Sequence, residues 1–376
     1  MPVFSWVATE MRTGRVIADL PDLASPGGGE LTLSVQMGDY QSLTASLPLP
    51  TAPENWQRAV KEGAATLVCL SDGNPIWGGF VTKSNRTAGD EIELSLCTLE
   101  AWFNRIYVGD ETFTGVGQND IAAALVNKYA ADGVLGNGIP IRAQIVSGGS
   151  GTVRTRNYLD TDNKTLYSVL QDLAGVDGGP EWTVELEHLS TPERYTAVFK
   201  VGTRLGAAVT AGLTSSATFE MPGPVTAFTY SVDFGESKGA TTVKAYSSGQ
   251  GSSQPQSAVQ SVVDADRARL EYRWTPSTSI TEIATLTLHA AGRLAQISSG
   301  TISVSLSAVT DSAPILGQDW ATGDDIGYVI GGRDVNGNDT VPAFPGGTTG
   351  IARAIGWQLT LSNTPIVTPV LAGSKL

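Results

Sequence analysis

Histidine and cysteine are almost missing from this chain. It has His188 and His289, and Cys69 and Cys97, among 376 residues. A structural zinc site takes about four ligands at regular spacing, and neither histidine has a paired ligand nearby, so no metal site is expected. Serine-nucleophile chemistry lacks its histidine base, and "GGSGT" (148–152) is not set between a strand and a helix as a nucleophile elbow is. The two thiols sit in strand-like apolar runs, "ATLVCLS" and "EIELSLC", and read as buried; a disulfide between them requires the strands to be neighbours, which sequence does not decide.

Long apolar runs are also absent. None reaches the roughly 18 residues of a membrane-spanning helix, so membrane contact is not expected. The opening stretch, "MPVFSWVATEMRTG", lacks the basic start and apolar core of a signal peptide. The triplets at Asn85, Asn163 and Asn338 therefore carry no glycosylation reading. Basic clusters are missing too. With 24 Lys and Arg against 37 Asp and Glu, the net charge is −13. Such a surface repels DNA and anionic membranes, and stable nucleic-acid binding is excluded for want of phosphate contacts. It would suit a channel wall past which DNA slides without sticking.

What the chain does have points to β structure. Apolar residues make up 41%, and 43 Gly and 19 Pro punctuate runs rich in Thr, Ser and Val. Residues 1–110 read as a β-module with one short helix, "PENWQRAVKEG". "ELTLSVQM" and "SLTASLPLP" alternate apolar and polar, and "SDGN" marks a hairpin turn. Residues 111–206 read as an inserted α/β domain. Its first helix, in "NDIAAALVNKYAADG", places Ile121, Leu125 and Tyr129 on one face and closes at Gly133. Its second turns Leu166, Val169, Leu170 and Leu173 inward, with Asp162 as N-cap and Gly175 as the residue that ends it. The loop 146–155, "VSGGSGTVRT", reads as flexible.

"VTAFTYSVDFG" and "ATTVKAYSSG" read as a hairpin within 217–248, and "GQGSSQPQSA" (249–258) as a linker. Residues 249–376 read as a second β-module. Its helix has a capping box at Ser279 and Glu282 and a stripe of Ile283, Leu286, Ala290, Leu294 and Ile297. "GTISVSLSAV" is a period-two strand.

Several stretches invite chemistry and fail on spacing. "YLDTDNKT" starts like a calcium or phosphotransfer loop at Asp160 and Asp162, but Lys164 and Thr165 break either pattern. In "DVNGND" Gly337 comes one place early for calcium; Asn336-Gly337 suits a tight turn. Phosphate loops run strand, glycines, helix. "AGVDGGPEWTVEL" (174–186) runs in the opposite order, so Gly178, Gly179 and Pro180 read as a corner from which a strand leaves with Trp182 and Val184 inward. Glu181, Glu185 and Glu187 then form its solvated face rather than a glycosidase pair. No catalytic, cofactor-binding or metal-binding residue is assigned, no cofactor is expected, and no interface residue can be named.

Taken in order, "GNPIWGGFVT", "TLEAWFNRIYV", "QNDIAAALVNKYAADG", "RNYLDTDNKTLYSVLQDLAGVDGGPEWTVEL" and "SITEIATLTLHAAGRLA" resemble minor tail or tail-hub proteins of siphophages that infect actinobacteria. The resemblance covers most of residues 60–300. It implies a baseplate-hub-like fold: β-rich α+β, with two tail-tube-like β-barrel modules, each with a flanking helix, plus the inserted α/β domain. The first barrel (1–110) would be completed by 217–248. The resemblance further implies no enzyme but a structural virion protein: a homotrimeric ring at the distal end of a non-contractile tail, made in the host cytoplasm. Its implied partners are the distal tail protein and other tip proteins, the tape measure protein in the lumen, and DNA in transit. The rival reading is a glycan-binding tip protein or a cell-wall hydrolase. Eight tryptophans could supply stacking platforms, although Trp6, Trp77, Trp182 and Trp357 lie in strand-like runs and read as core.

Overall fold

A computed structural model describes residues 2–372 except 132–135, 137, 177, 211–214, 250–252, 277–279 and 281. The first part contains β1 (Phe4–Glu10), β2 (Val16–Leu20), β3 (Leu31–Gln36), β4 (Ser42–Pro48), the single-turn α1 (Trp56–Ala59), β5 (Ala65–Ser71), β6 (Asn74–Arg86), β7 (Glu91–Thr98) and a 3-10 segment, Leu99–Arg105. Next come β8 (Glu111–Gly117), α2 (Gln118–Tyr129), β9 (Ile141–Ser147), β10 (Val153–Tyr158), α3 (Leu166–Ala174), β11 (Glu181–Ser190) and β12 (Glu193–Gly202). The remainder holds β13 (Thr218–Met221), β14 (Val225–Asp233), β15 (Thr242–Ala245), β16 (Gln260–Ser261), β17 (Glu271–Trp274), α4 (Ile283–Ile297), β18 (Thr301–Val309), β19 (Asp325–Ile330), β20 (Thr348–Leu361) and β21 (Ile366–Leu371).

These strands form the β-rich α+β architecture expected, with two curled sheets and an α/β insert. A six-stranded sheet runs β2-β1-β5-β6-β7-β4, and a seven-stranded one runs β13-β19-β20-β21-β18-β14 with β3 added on β20. Period-two alternation decides which face each buries. In β7, Ile92, Leu94 and Leu96 are buried; in β18, Ile302, Val304, Leu306 and Ala308 are. The two inner faces share one continuous core, in which Leu33, Leu47, Leu67, Leu94 and Leu306 are fully covered. Each such leucine contributes about 1.5–3 kcal/mol through removal from water.

Pairing departs from expectation in two places. β3 leaves the first sheet and pairs with β20, Leu33 opposite Leu359, before the chain returns as β4 beside β7. Residues 225–235 and 240–249 do not form a hairpin. β14 pairs instead with β18, Tyr230 opposite Val304, and β15 pairs with β16 and β17. Neither β13 nor β14 completes the first sheet; both belong to the second. Alternation shows which face of a strand is buried but carries no label for its neighbour. In addition, the turn after β14, closed by Lys238 N–H to Gly235 C=O, sends the chain off into a small unit of its own. There α4 packs Leu286, Ala290, Leu294 and Ile297 onto β15. The described part of 249–258 lies inside that unit, with Ser257 Oγ accepting from Ala245 N–H at 2.9 Å, so it is not a linker between modules.

Of the helix expectations, Ile283 is 60% exposed rather than in the stripe. Ser279 and Gly133 lie outside the described residues. Glu282 stands at the N-cap of α4 without a side-chain cap bond. Asp162 does not cap α3: it closes a 3-10 turn, Asp160–Asp162, by accepting from Leu159 N–H. The cap is Thr165, which accepts from Ser168 N–H at 3.1 Å. Threonine and aspartate compete for this role, and the extra turn displaces the helix start by three residues. Leu166, Val169, Leu170 and Leu173 are buried, as their spacing requires.

Candidate functional site: the joint between the insert and the two sheets

β11 is an edge strand of the insert's sheet, whose order is β11-β12-β9. A buried edge leaves backbone groups that need partners, and here the rest of the protein supplies them. Gly38, after β3, donates its N–H to Trp182 C=O at 2.8 Å. Val184 donates its N–H to Glu100 Oε1 at 3.1 Å. Glu100 comes from the 3-10 segment that follows β7, so a first-module carboxyl caps the insert's edge.

Glu100 is 3% exposed. Burial pushes its carboxyl up to about 7, against the opposing pull of hydrogen bonds from Thr98, its own backbone and Val184; the charge of Asp39 adds to the rise. It lines a cavity of about 90 Å³ together with Trp77, Thr183, Trp357 and Thr322, so all three units contribute walls. Among the described residues, Thr183 Oγ1 is buried with no hydrogen-bond partner, as is the indole N–H of Trp182.

A second tie is ionic. Arg353 of β20 grips Glu181 with both terminal nitrogens, donates Nε to Gly323 C=O at 3.0 Å, and reaches Leu205 C=O at 2.9 Å. The bidentate fork is a strong form of this contact. Beside it Arg204 meets Asp325 at 2.6 Å, and Asp324 accepts from Ala207 and Ala321 N–H groups. Two further contacts complete the joint. Tyr167 of α3 donates to Asp39 at 2.7 Å. Tyr195 N–H reaches Gly14 C=O at 2.8 Å; Gly14 has φ +70, and a Cβ there would lie 2.0 Å from Tyr195 C=O.

The corner that leads into β11 behaves as its residues require. Gly175 caps α3, Gly178 takes φ +64, and Gly179 passes so close to the helix end that a Cβ would meet Ala174 C=O at 2.3 Å. Trp182 then packs inward against Phe103, Tyr167 and Phe199. Of the three acids expected on a solvated face, Glu185 pairs with Lys200 and Glu187 with Arg142 in water. Glu181 does not share that face's environment: it is three-quarters covered and held by Arg353.

The other residues singled out by sequence are dispersed. His188 stacks on Tyr195, and His289 abuts Trp274. Cys69 and Cys97 are free thiols on β5 and β7 with β6 between them. Asp334 closes its own loop through Asn336 and Asn338 N–H groups. The loop 146–155 is pinned rather than free, with Asn119 donating to Gly149 C=O at 2.7 Å. Trp6, Trp77, Trp182, Trp320 and Trp357 are buried, and Trp56, Trp102 and Trp274 are half-covered. Among the described residues no group of three or more His, Cys, Asp or Glu is arranged to hold a metal, and no helix is long and apolar enough to cross a membrane. Glu100 and Arg353 were missed by sequence reasoning. A lone acid between Leu99 and Ala101 in an otherwise apolar stretch was the available signal for the first; Arg353 had none.

No protein-family profile and no curated protein sequence matches this chain. Solved structures do. The tail protein of Neisseria meningitidis MC58 superposes with a TM-score of 0.53 at 13% identity, over 97% of this chain and 96% of that one. The 43 kDa tail protein of prophage MuSo2 from Shewanella oneidensis gives 0.55 at 10% identity, over 98% of both. The chain therefore has, along nearly its whole length, the fold of these two tail proteins.

Proposed function

We propose that this protein is a structural component of a phage tail, and specifically the tail-tip hub of a non-contractile tail. One observation carries the reading: two curled sheets fused through a single core, with an insert clamped to both, in the fold of two tail proteins, one of them from a prophage, over 96% or more of each chain. Clamping by backbone, apolar and ionic contacts suits a part that transmits force without changing shape. The proposal includes a homotrimeric ring that continues the tail tube, bears on the distal tail, tip and tape measure proteins, and forms part of the DNA channel. The −13 charge supports a lumen past which DNA moves without adhering. The assignment to siphophages of actinobacteria rests on the sequence resemblance. A non-enzymatic role is part of this reading and rests on the likeness to tail proteins.

Reconstruction of purified virions tests this. A ring of six barrels at the tail tip, three copies of this chain, is the expected result. Finding the chain on a side fibre, or as single copies off the tail axis, would overturn it.

A further inference from the structure

The cavity beneath β11 differs from a packing defect in what lines it. Its volume of about 90 Å³ is room for a few water molecules, provided polar partners are present. Glu100 and Thr183 both contribute to its wall, and Thr183 Oγ1 has no hydrogen-bond partner. Glu100 is at the same time the tie between the first module and the insert, through Val184 N–H. Among the described residues, no basic side chain lines the cavity. From β11 comes Glu185, paired with Lys200 of β12 at 2.5 Å. From the segment after β3 comes Asp39, which opposes ionisation of Glu100 and accepts from Tyr167 of α3. The first module adds the Thr98 hydroxyl. The second sheet and its loops contribute Val35, Leu316, Gly317, Ala321, Thr322 and Trp357, none of them titratable.

We propose that this cavity is a hydrated proton site, and that the protonation state of Glu100 sets how firmly β11, and with it the insert, is held to the two sheets. In the neutral form, one oxygen accepts from Val184 N–H, and the carboxyl O–H can donate to a cavity water that also satisfies Thr183. On ionisation that donor is lost, and a full charge stands in a site with three hydrogen-bond donors and no cation. Its relief is more water, and water enters by lifting the edge of β11 from the first module. Both forms are populated near neutral pH, since burial raises the carboxyl to about 7. This inference stands apart from the tail reading: it concerns how the chain's own parts hold together.

Hydrogen–deuterium exchange on the intact protein tests it, at about pH 6 and about pH 8, with rates corrected for intrinsic chemistry. Peptides covering residues 181–190 are expected to exchange about tenfold faster at the higher pH, and the Glu100→Gln variant is expected to remove that difference. Infrared spectroscopy of the wild type gives a reading that needs no variant: a carbonyl stretch from a buried protonated carboxyl, present at about pH 6 and lost by about pH 8. Corrected exchange that is the same at both values, a pH difference that persists in Glu100→Gln, or no protonated carboxyl band at about pH 6 would each overturn the proposal.

Discussion

Replacing Glu100 with Gln should change the pH dependence of global stability by an amount the structure allows to be worked out. The folded carboxyl titrates at about 7, against an ordinary value of 4.5. A raised pKa means the folded state holds the proton more tightly than the unfolded state. The stability associated with the neutral group is therefore complete below about pH 4.5, and it is lost as pH rises through about 7. At 1.36 kcal/mol per unit the full loss is about 3 kcal/mol, of which about 2.5 kcal/mol falls between about pH 5 and about pH 8. Glutamine cannot ionise, yet it retains an acceptor for Val184 N–H. The difference in unfolding free energy between variant and wild type should thus shift by about 2.5 kcal/mol in the variant's favour between those two pH values. Urea unfolding followed by circular dichroism at each pH measures this. Comparing a difference at two pH values cancels the other titrating groups and any imperfection in how glutamine fits. If that difference is the same at both values, Glu100 is not titrating in the buried state and the electrostatic reasoning fails.

Four other outcomes follow from the same structure. A double-mutant cycle on Glu181→Ala and Arg353→Ala should return a coupling of about 1–2 kcal/mol, measured by denaturant unfolding, because the fork is bidentate and three-quarters covered. Leu33→Ala should cost about 2–5 kcal/mol in the same assay, since Leu33 is fully covered in the core shared by both sheets. Changing Gly178 and Gly179 together to Val should remove the soluble folded protein, as seen by circular dichroism, and a well-folded double variant would contradict the corner geometry. A colorimetric thiol reagent should leave Cys69 untouched in the native protein and label it only on unfolding, because complete burial raises its thiol pKa.

Local features of this chain were legible because local chemistry determines them. The alternation in "EIELSLC", the inward face of α3 and the glycine corner before Trp182 all follow from periodicity and backbone sterics, and the structure has them. Pairing was legible only where a short turn forces it, as between β5 and β6. The β3–β20 and β14–β18 pairs join segments far apart in sequence, and their alternation would suit any partner with an apolar face. Contacts at the joint between the insert and the two sheets suffered most. Glu181 looked like its neighbours Glu185 and Glu187, and only the arrival of Arg353 from another module sets it apart. Glu100 drew no reading of its own from sequence, and it is β11, laid across it, that buries the acid.

The pairing of β3 with β20 has a consequence for biosynthesis. Thr32 and Thr360 touch across 328 positions. As the chain leaves the ribosome, β3 is made well before its partner, which follows only after about 300 more residues, tens of seconds at about 5–20 residues per second. Throughout that interval Leu31 and Leu33 sit on a strand with an open edge and an uncovered face, the combination that invites association with other chains. Closure of the core shared by the two sheets must wait for the second, so nascent or truncated chains are candidates for chaperone capture, and only a chain that includes β20 can cover β3.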